Sequence, residues 1–348
     1  MQIKRIALGG IIMTVIMLSG CSTTEQNLAI GEEKTLKTGK IEQESVTEKN
    51  INMNEKESFN AESNINDVIH DSAFDNYGRL IFPVDMEIED NLKLKDVSSI
   101  LPWYSEVNTD KTVEIVNYMK NQAMNGEKIF YPIYSEEEMQ ADADKKDTGL
   151  FFFRGNAGAK TAIINAGGGF VYVAGIHDSF PHALELSKKG YNAFALIYRP
   201  EAQTACEDLA RAITFIFQNA EQLKVNTEDY SLWGGSAGGR MAAWLGTYGS
   251  AAFGGDNLPR PSAIITQYTG LNEFSKNDPP TYACVGDKDG IAYWKRMQER
   301  LNRLNSLGVD TEFHVYEGLR HGFGLGTSTV AEGWINDAVA FWEKQMKE

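Results

Sequence analysis

The chain has 348 residues, 42% of them hydrophobic, enough for one large domain or two ordinary ones with a sizeable core. Its formal net charge of -15 repels phosphate backbones and argues against a nucleic-acid partner. No CxxC pair and no HExxH pattern occurs, so the sequence gives no sign of a zinc site, and no cofactor is expected.

The chain begins with a short basic stretch, residues 1–5, followed by an apolar run over 6–18. That run is too short for a comfortable membrane span and suits a signal-peptide core. It ends in Leu18-Ser19-Gly20-Cys21, which resembles the lipobox of bacterial lipoproteins. The resemblance implies removal of residues 1–20, lipidation of Cys21 and a membrane anchor on the extracytoplasmic side. Several acyl chains on one residue hold a membrane far better than one. Residues 21–73 are polar and nearly free of aromatics, and read as a disordered tether because so little apolar area cannot offset the entropy of ordering.

Aromatic residues return at Phe74 and Tyr77, and the segment 74–148 reads as an N-terminal edge of the next domain or a cap on it. Within it Asn108 caps an expected helix with Ile115, Val116, Met119 and Ala123 on one face, ended by Gly126. From residue 149 the pattern becomes regular. Strands are expected over 149–153, 161–164, 192–198, 230–233, 262–266, 281–285 and 311–316. Helices are expected from Pro181 to Gly190, and over 207–223, 237–245, 291–307 and 330–347. The alternation predicts a mostly parallel central sheet with helices on both faces, formed by residues 149–348. Cys206 falls on the apolar face of one helix and Cys284 inside a strand, so both read as small core residues.

Four glycines crowd around Ser236 in the stretch SLWGGSAGGR, between an expected strand and an expected helix. G-x-S-x-G in that context is a nucleophile elbow: the turn is so tight that its neighbours must be small, and it lifts the serine hydroxyl above the sheet. A serine needs a base. Of the five histidines, His70 lies in the tether, His314 in mid-strand, and His177 and His182 flank a helix. His321 follows the last strand, at the sheet edge where the elbow opens, and is the expected base. The turn GDKDG after the preceding strand offers Asp289, preferred because it lies further past the strand end, and Asp287 as an alternative. The run NAGGGF after an early strand would let the amides of Gly168 and Gly169 join that of Ala237 in an oxyanion hole. The phosphate-loop pattern G-x-x-x-x-G-K-[ST] is absent from it.

With NAGGGF, GGSAGG, GDKD and RHGF in this order, residues 149–345 resemble the esterase/lipase branch of the α/β-hydrolase superfamily, with its HGGG-type loop. Within that branch the pattern resembles acetyl-esterase and carbohydrate-esterase-like members. The resemblance implies an α/β-hydrolase fold, a serine esterase acting through an acyl-enzyme, and a small-molecule or carbohydrate ester as substrate. Ala166 stands where the family usually has the histidine of HGGG. Two other readings share the pattern: a serine peptidase on the same fold, and a non-catalytic surface lipoprotein that keeps the fold for binding.

Overall fold

Short apolar runs separated by helical patterns build the centre of the molecule. The computed structural model describes residues 58–346. Its strands are β1 (Phe130–Tyr131), β2 (Gly149–Phe153), β3 (Lys160–Asn165), β4 (Asn192–Ile197), β5 (Asn226–Gly235), β6 (Ala263–Gln267), β7 (Thr281–Gly286) and β8 (Thr311–Tyr316). They form an eight-stranded sheet in the order β1-β2-β4-β3-β5-β6-β7-β8. β2 is antiparallel to both its neighbours, and every pairing from β4 to β8 is parallel.

The phenylalanines of β2 show why the sheet is covered on both sides. Side chains alternate along a strand. The rings of Phe151 and Phe153 lie 4.8 and 6.0 Å from Phe180, in the helix Phe180–Lys188. Phe152 points the other way, stacked at 4.1 Å on Phe194 of β4. On that second face Tyr131 meets Phe215, in the helix Ala202–Gln218. A strand covered on both faces is apolar throughout, and β2 and β4 are buried at every position. Cys206 and Cys284 are free thiols buried in this core.

Element ends depart from the expected ones for local reasons. The helix expected from residue 207 starts at Ala202, because the Glu201 carboxylate accepts from the amides of Gln203 and Thr204 and caps it. The helix expected from 291 starts at Trp294, since the amides of Ile291 and Ala292 donate to Asp289 instead. The last helix begins at Trp334, after Gly333 in a left-handed conformation, rather than at 330.

The expected tether does not extend to residue 73. Residues 58–73 are folded: Ile65 and Val68 are fully buried from a short helix, Ile65–Ile69. Asn117 clamps the backbone of Phe59, accepting its N–H at 2.9 Å and donating to its carbonyl at 2.8 Å. A few well-placed apolar residues and a side-chain clamp suffice where average composition reads as disorder. Residues 21–57, Cys21 and the expected signal segment 1–20 lie outside the described residues.

Residues 74–148 serve as more than an edge. The helix Thr109–Met124, capped by Asn108 as expected, lays Tyr118 on Phe153 at 5.6 Å. β1 extends the sheet, and residues 102–105 reach its carboxyl edge. From β3 the chain turns to β4 on one side and later to β5 on the other, so the loops after β3 and β5 open side by side. In open α/β sheets such a reversal makes a crevice at the strand ends.

Candidate active site

β5 ends at Gly235 and the helix Ser236–Tyr248 begins at the next residue. Ser236 has φ +50°, a left-handed backbone uncommon for a residue with a side chain. The turn leaves its neighbours no room: a Cβ on Gly234 would stand 2.3 Å from the Gly238 carbonyl carbon, and one on Gly238 would stand 2.0 Å from the Asn165 carbonyl oxygen. The first-turn amides of a helix lack intrahelical acceptors, so the Ala237 N–H is available beside the serine.

The structure brings Ser236, His321 and Asp289 together. His321 Nε2 lies 3.0 Å from Ser236 Oγ, and its Nδ1 lies 2.8 Å from Asp289 Oδ2. A carboxylate only accepts, so Nδ1 carries the hydrogen and Nε2 keeps its lone pair for the serine hydroxyl. The other Asp289 oxygen accepts the amides of Ile291 and Ala292, both at 2.7 Å, which fixes the carboxylate. Asp287 turns away and accepts the Gly318 amide at 2.6 Å. Of the two aspartates, only Asp289 faces the imidazole.

The other histidines are engaged elsewhere. His70 bonds the Asn66 carbonyl, and His314 bonds Glu312 within β8. His177 donates through Nε2 to the Gly322 carbonyl at 2.9 Å, and burial lowers its pKa. His182 donates to Gln267 Oε1 at 2.8 Å, and burial lowers its pKa to about 4.

The glycine run lies against the elbow. A Cβ on Gly167 would stand 2.7 Å from Ser236 Cβ. Gly168 and Gly169 have φ +128° and +66°, and among the described residues their amides donate to no protein group. Ala166 is buried, and its carbonyl accepts from the Tyr198 hydroxyl at 2.6 Å. The anchor of this loop is a residue that sequence reasoning missed, Asp178. Its buried carboxylate accepts the Gly167 amide at 2.7 Å, the Tyr104 hydroxyl at 2.9 Å and the Tyr268 hydroxyl. Burial, together with the Asp178 charge, raises both phenols well above the usual tyrosine range, so they stay protonated and donate. No spacing rule pointed to Asp178, Tyr104 or Tyr268, which come from three separate segments. The only signal was an aspartate a few residues beyond the glycines.

A cavity of about 900 Å³ lined by Lys160, Thr227, Pro261 and Pro280 lies at the opposite, amino edge of the strands. It contains none of these groups, so chemistry rather than volume locates the site.

A family model described as BD-FAE matches residues 154–303, less than half of the chain. No curated protein matches the chain in sequence. Among solved structures, an acetyl ester-xyloside bifunctional hydrolase from Caldicellulosiruptor lactoaceticus aligns at TM-score 0.54 and 20% identity, over 62% of this chain and 95% of that one. A thermophilic esterase from the Planctomycetes species Thermogutta terrifontis aligns at 0.52 and 19%, over 61% and 89%. A sugar hydrolase from Lactococcus lactis aligns at 0.50 and 22%, over 57% and 94%. Together with the sheet order and the elbow after β5, these likenesses show that the chain has the α/β-hydrolase fold.

Proposed function

We propose that the protein is a serine esterase acting on short-chain carboxylic esters. The observation that carries this reading is the hydrogen-bonded chain from Ser236 Oγ through His321 to Asp289, beside backbone amides that donate to no protein group among the described residues. Ser236 attacks the ester carbonyl while its proton passes to His321 Nε2. The amides of Gly168, Gly169 and Ala237 receive the negative charge that develops on the carbonyl oxygen. As the C–O bond to the alcohol breaks, His321 returns that proton to the departing oxygen, leaving an acyl-Ser236. Water then repeats the sequence, with His321 as base, and releases the acid. Asp289 holds the imidazole in the required tautomer and stabilises its charged form. Ser236→Ala should lower p-nitrophenyl acetate turnover by at least about 10⁴-fold and abolish labelling by a fluorophosphonate, with thermal unfolding unchanged. Retained turnover, or labelling at another serine, rejects the assignment.

An acetylated carbohydrate is the proposed natural substrate class. The support is the motif resemblance, together with an acetyl ester-xyloside hydrolase and a sugar hydrolase among the structural neighbours. Release of acetate from acetylated oligosaccharides, compared with simple alkyl acetates, tests this.

We also propose that Cys21 carries lipid and anchors the protein outside the cytoplasmic membrane, on the strength of the basic start, apolar run and LSGC motif. Among the described residues no helix is long and apolar enough to cross a membrane. Cys21→Ala should abolish incorporation of labelled palmitate and move the protein from the membrane to the soluble fraction. Unchanged membrane recovery would count against the anchor.

A further inference from the structure

Residues 102–105 cross the carboxyl edge of the sheet and touch both halves of the site. On one side they bind the glycine loop. Tyr172 donates its hydroxyl to the Pro102 carbonyl, and Tyr104 donates to Asp178, which holds the Gly167 amide. On the other side they bind the loop of the base. Ser105 donates its amide at 3.1 Å and its hydroxyl at 2.8 Å to the His321 carbonyl. The Tyr104 ring packs edge-on to His177 at 5.3 Å, and His177 in turn bonds Gly322. This strap lies outside residues 154–303, the part of the chain that the family model matches.

The exposed aromatic member of the strap is Trp103. It has φ +77°, a conformation uncommon for a bulky residue, so the surrounding contacts must hold it there. Its indole stacks on Tyr172 at 5.7 Å, and one edge lies 2.9 Å from where a Gly169 Cβ would stand. Even so, 49% of Trp103 is open to solvent, and Val171 in the same loop is 57% exposed. An aromatic ring stacked on Tyr172 and packed close to Gly169, with part of its surface uncovered, suits contact with a ligand group better than core packing.

We propose that the strap is the specificity element of the site. In it, the Trp103 indole forms a wall against which a flat or apolar group next to the ester carbonyl packs. This rests on the esterase reading. Tyr104 and Ser105 are positioning residues that hold the wall in register with the glycine loop and with His321.

The test measures KM and kcat for Trp103→Ala and Trp103→Phe on two ester series. One series varies the acyl group at a fixed nitrophenyl alcohol, and the other varies the alcohol at a fixed acetyl group. Trp103→Ala should raise KM by about tenfold for the flatter and more apolar members and compress the preference across at least one series. Its kcat should stay within about threefold, because the wall binds substrate and transition state alike. Trp103→Phe should restore most of the KM. An unchanged KM profile in Trp103→Ala, with Ser236 still labelled by fluorophosphonate, overturns the proposal. So does a uniform fall in kcat for every ester, which would mark a purely structural strap.

A binding measurement covers the case in which Trp103→Ala does not fold. In Ser236→Ala protein, p-nitrophenyl acetate should quench tryptophan fluorescence, and adding Trp103→Phe should remove at least about half of that quench. Full quenching in the double variant overturns the proposal. Lack of fluorophosphonate labelling in the unmodified chain instead rejects the esterase reading, and the quench then decides the Trp103 contact by itself.

Discussion

Asp287 and Asp289 share one turn after β7, but their side chains have different partners. Asp289 is fixed by two amides and faces His321, whereas Asp287 accepts an amide from the turn after β8. Asp289→Asn should therefore lower kcat on p-nitrophenyl acetate by roughly 10³–10⁴-fold, since an amide neither secures the tautomer nor stabilises the imidazolium. Asp287→Asn should stay within about threefold, because it alters only an amide contact and an ion pair with Lys288, both away from the imidazole. Comparable losses in both variants would show that the assignment of the acid is wrong. The same contrast shows how far residue type reaches: two identical side chains become an orienting group and a turn brace through the donors around them.

At the scale of an element, the unit is the handover from β5 to the helix Ser236–Tyr248. Its glycines serve clearance more than flexibility. The strand-to-helix turn presses Gly238 against Asn165 of β3, and Gly235 against the Asp178 carboxylate, 2.5 Å from where its Cβ would stand. Gly238→Ala should destabilise the fold by about 3 kcal/mol, because backbone rather than a flexible side chain stands in the way. That corresponds to a Tm lower by roughly 6 °C or more. Gly290→Ala, where no atom lies within 4 Å of the added carbon, is the control and should melt within about 2 °C of the unmodified chain. Equal melting of the two variants would disprove the clearance argument.

At the scale of the whole molecule, stability and pH are coupled through a buried histidine. His182 lies under the elbow, and burial holds its pKa near 4 against 6.5 in the unfolded chain. The folded state therefore keeps it neutral at a pH where the unfolded state already binds a proton. Its contribution is complete above pH 6.5, falls as pH drops from 6.5 to about 4, and is level below that. The full loss is about 3 kcal/mol. Urea unfolding at pH 7 and pH 4.5 should show the unmodified chain losing roughly 2 kcal/mol more than His182→Gln. His177, also buried with a lowered pKa, adds its own loss in both proteins. Identical losses would mean that His182 is not the group that senses pH.

The sequence by itself determined the seven strands from β2 to β8, the mostly parallel character of their sheet and the chain order of the elbow serine, the GDKDG turn and the histidine after the last strand. Those rest on periodicities and turn residues that act within a few positions along the chain. Hydrophobic runs such as Phe151 to Phe153 declare a strand covered on both faces, and four glycines around Ser236 declare a tight turn. Only the tertiary structure decided which aspartate meets His321, that residues 58–73 are folded, and that Asp178, Tyr104, Tyr268 and the strap with Trp103 assemble around the glycine loop. The reason is physical. These groups are far apart in sequence and follow no period, so their roles come from the buried contacts and unpaired donors that exist only once the sheet has brought its loop ends to one edge.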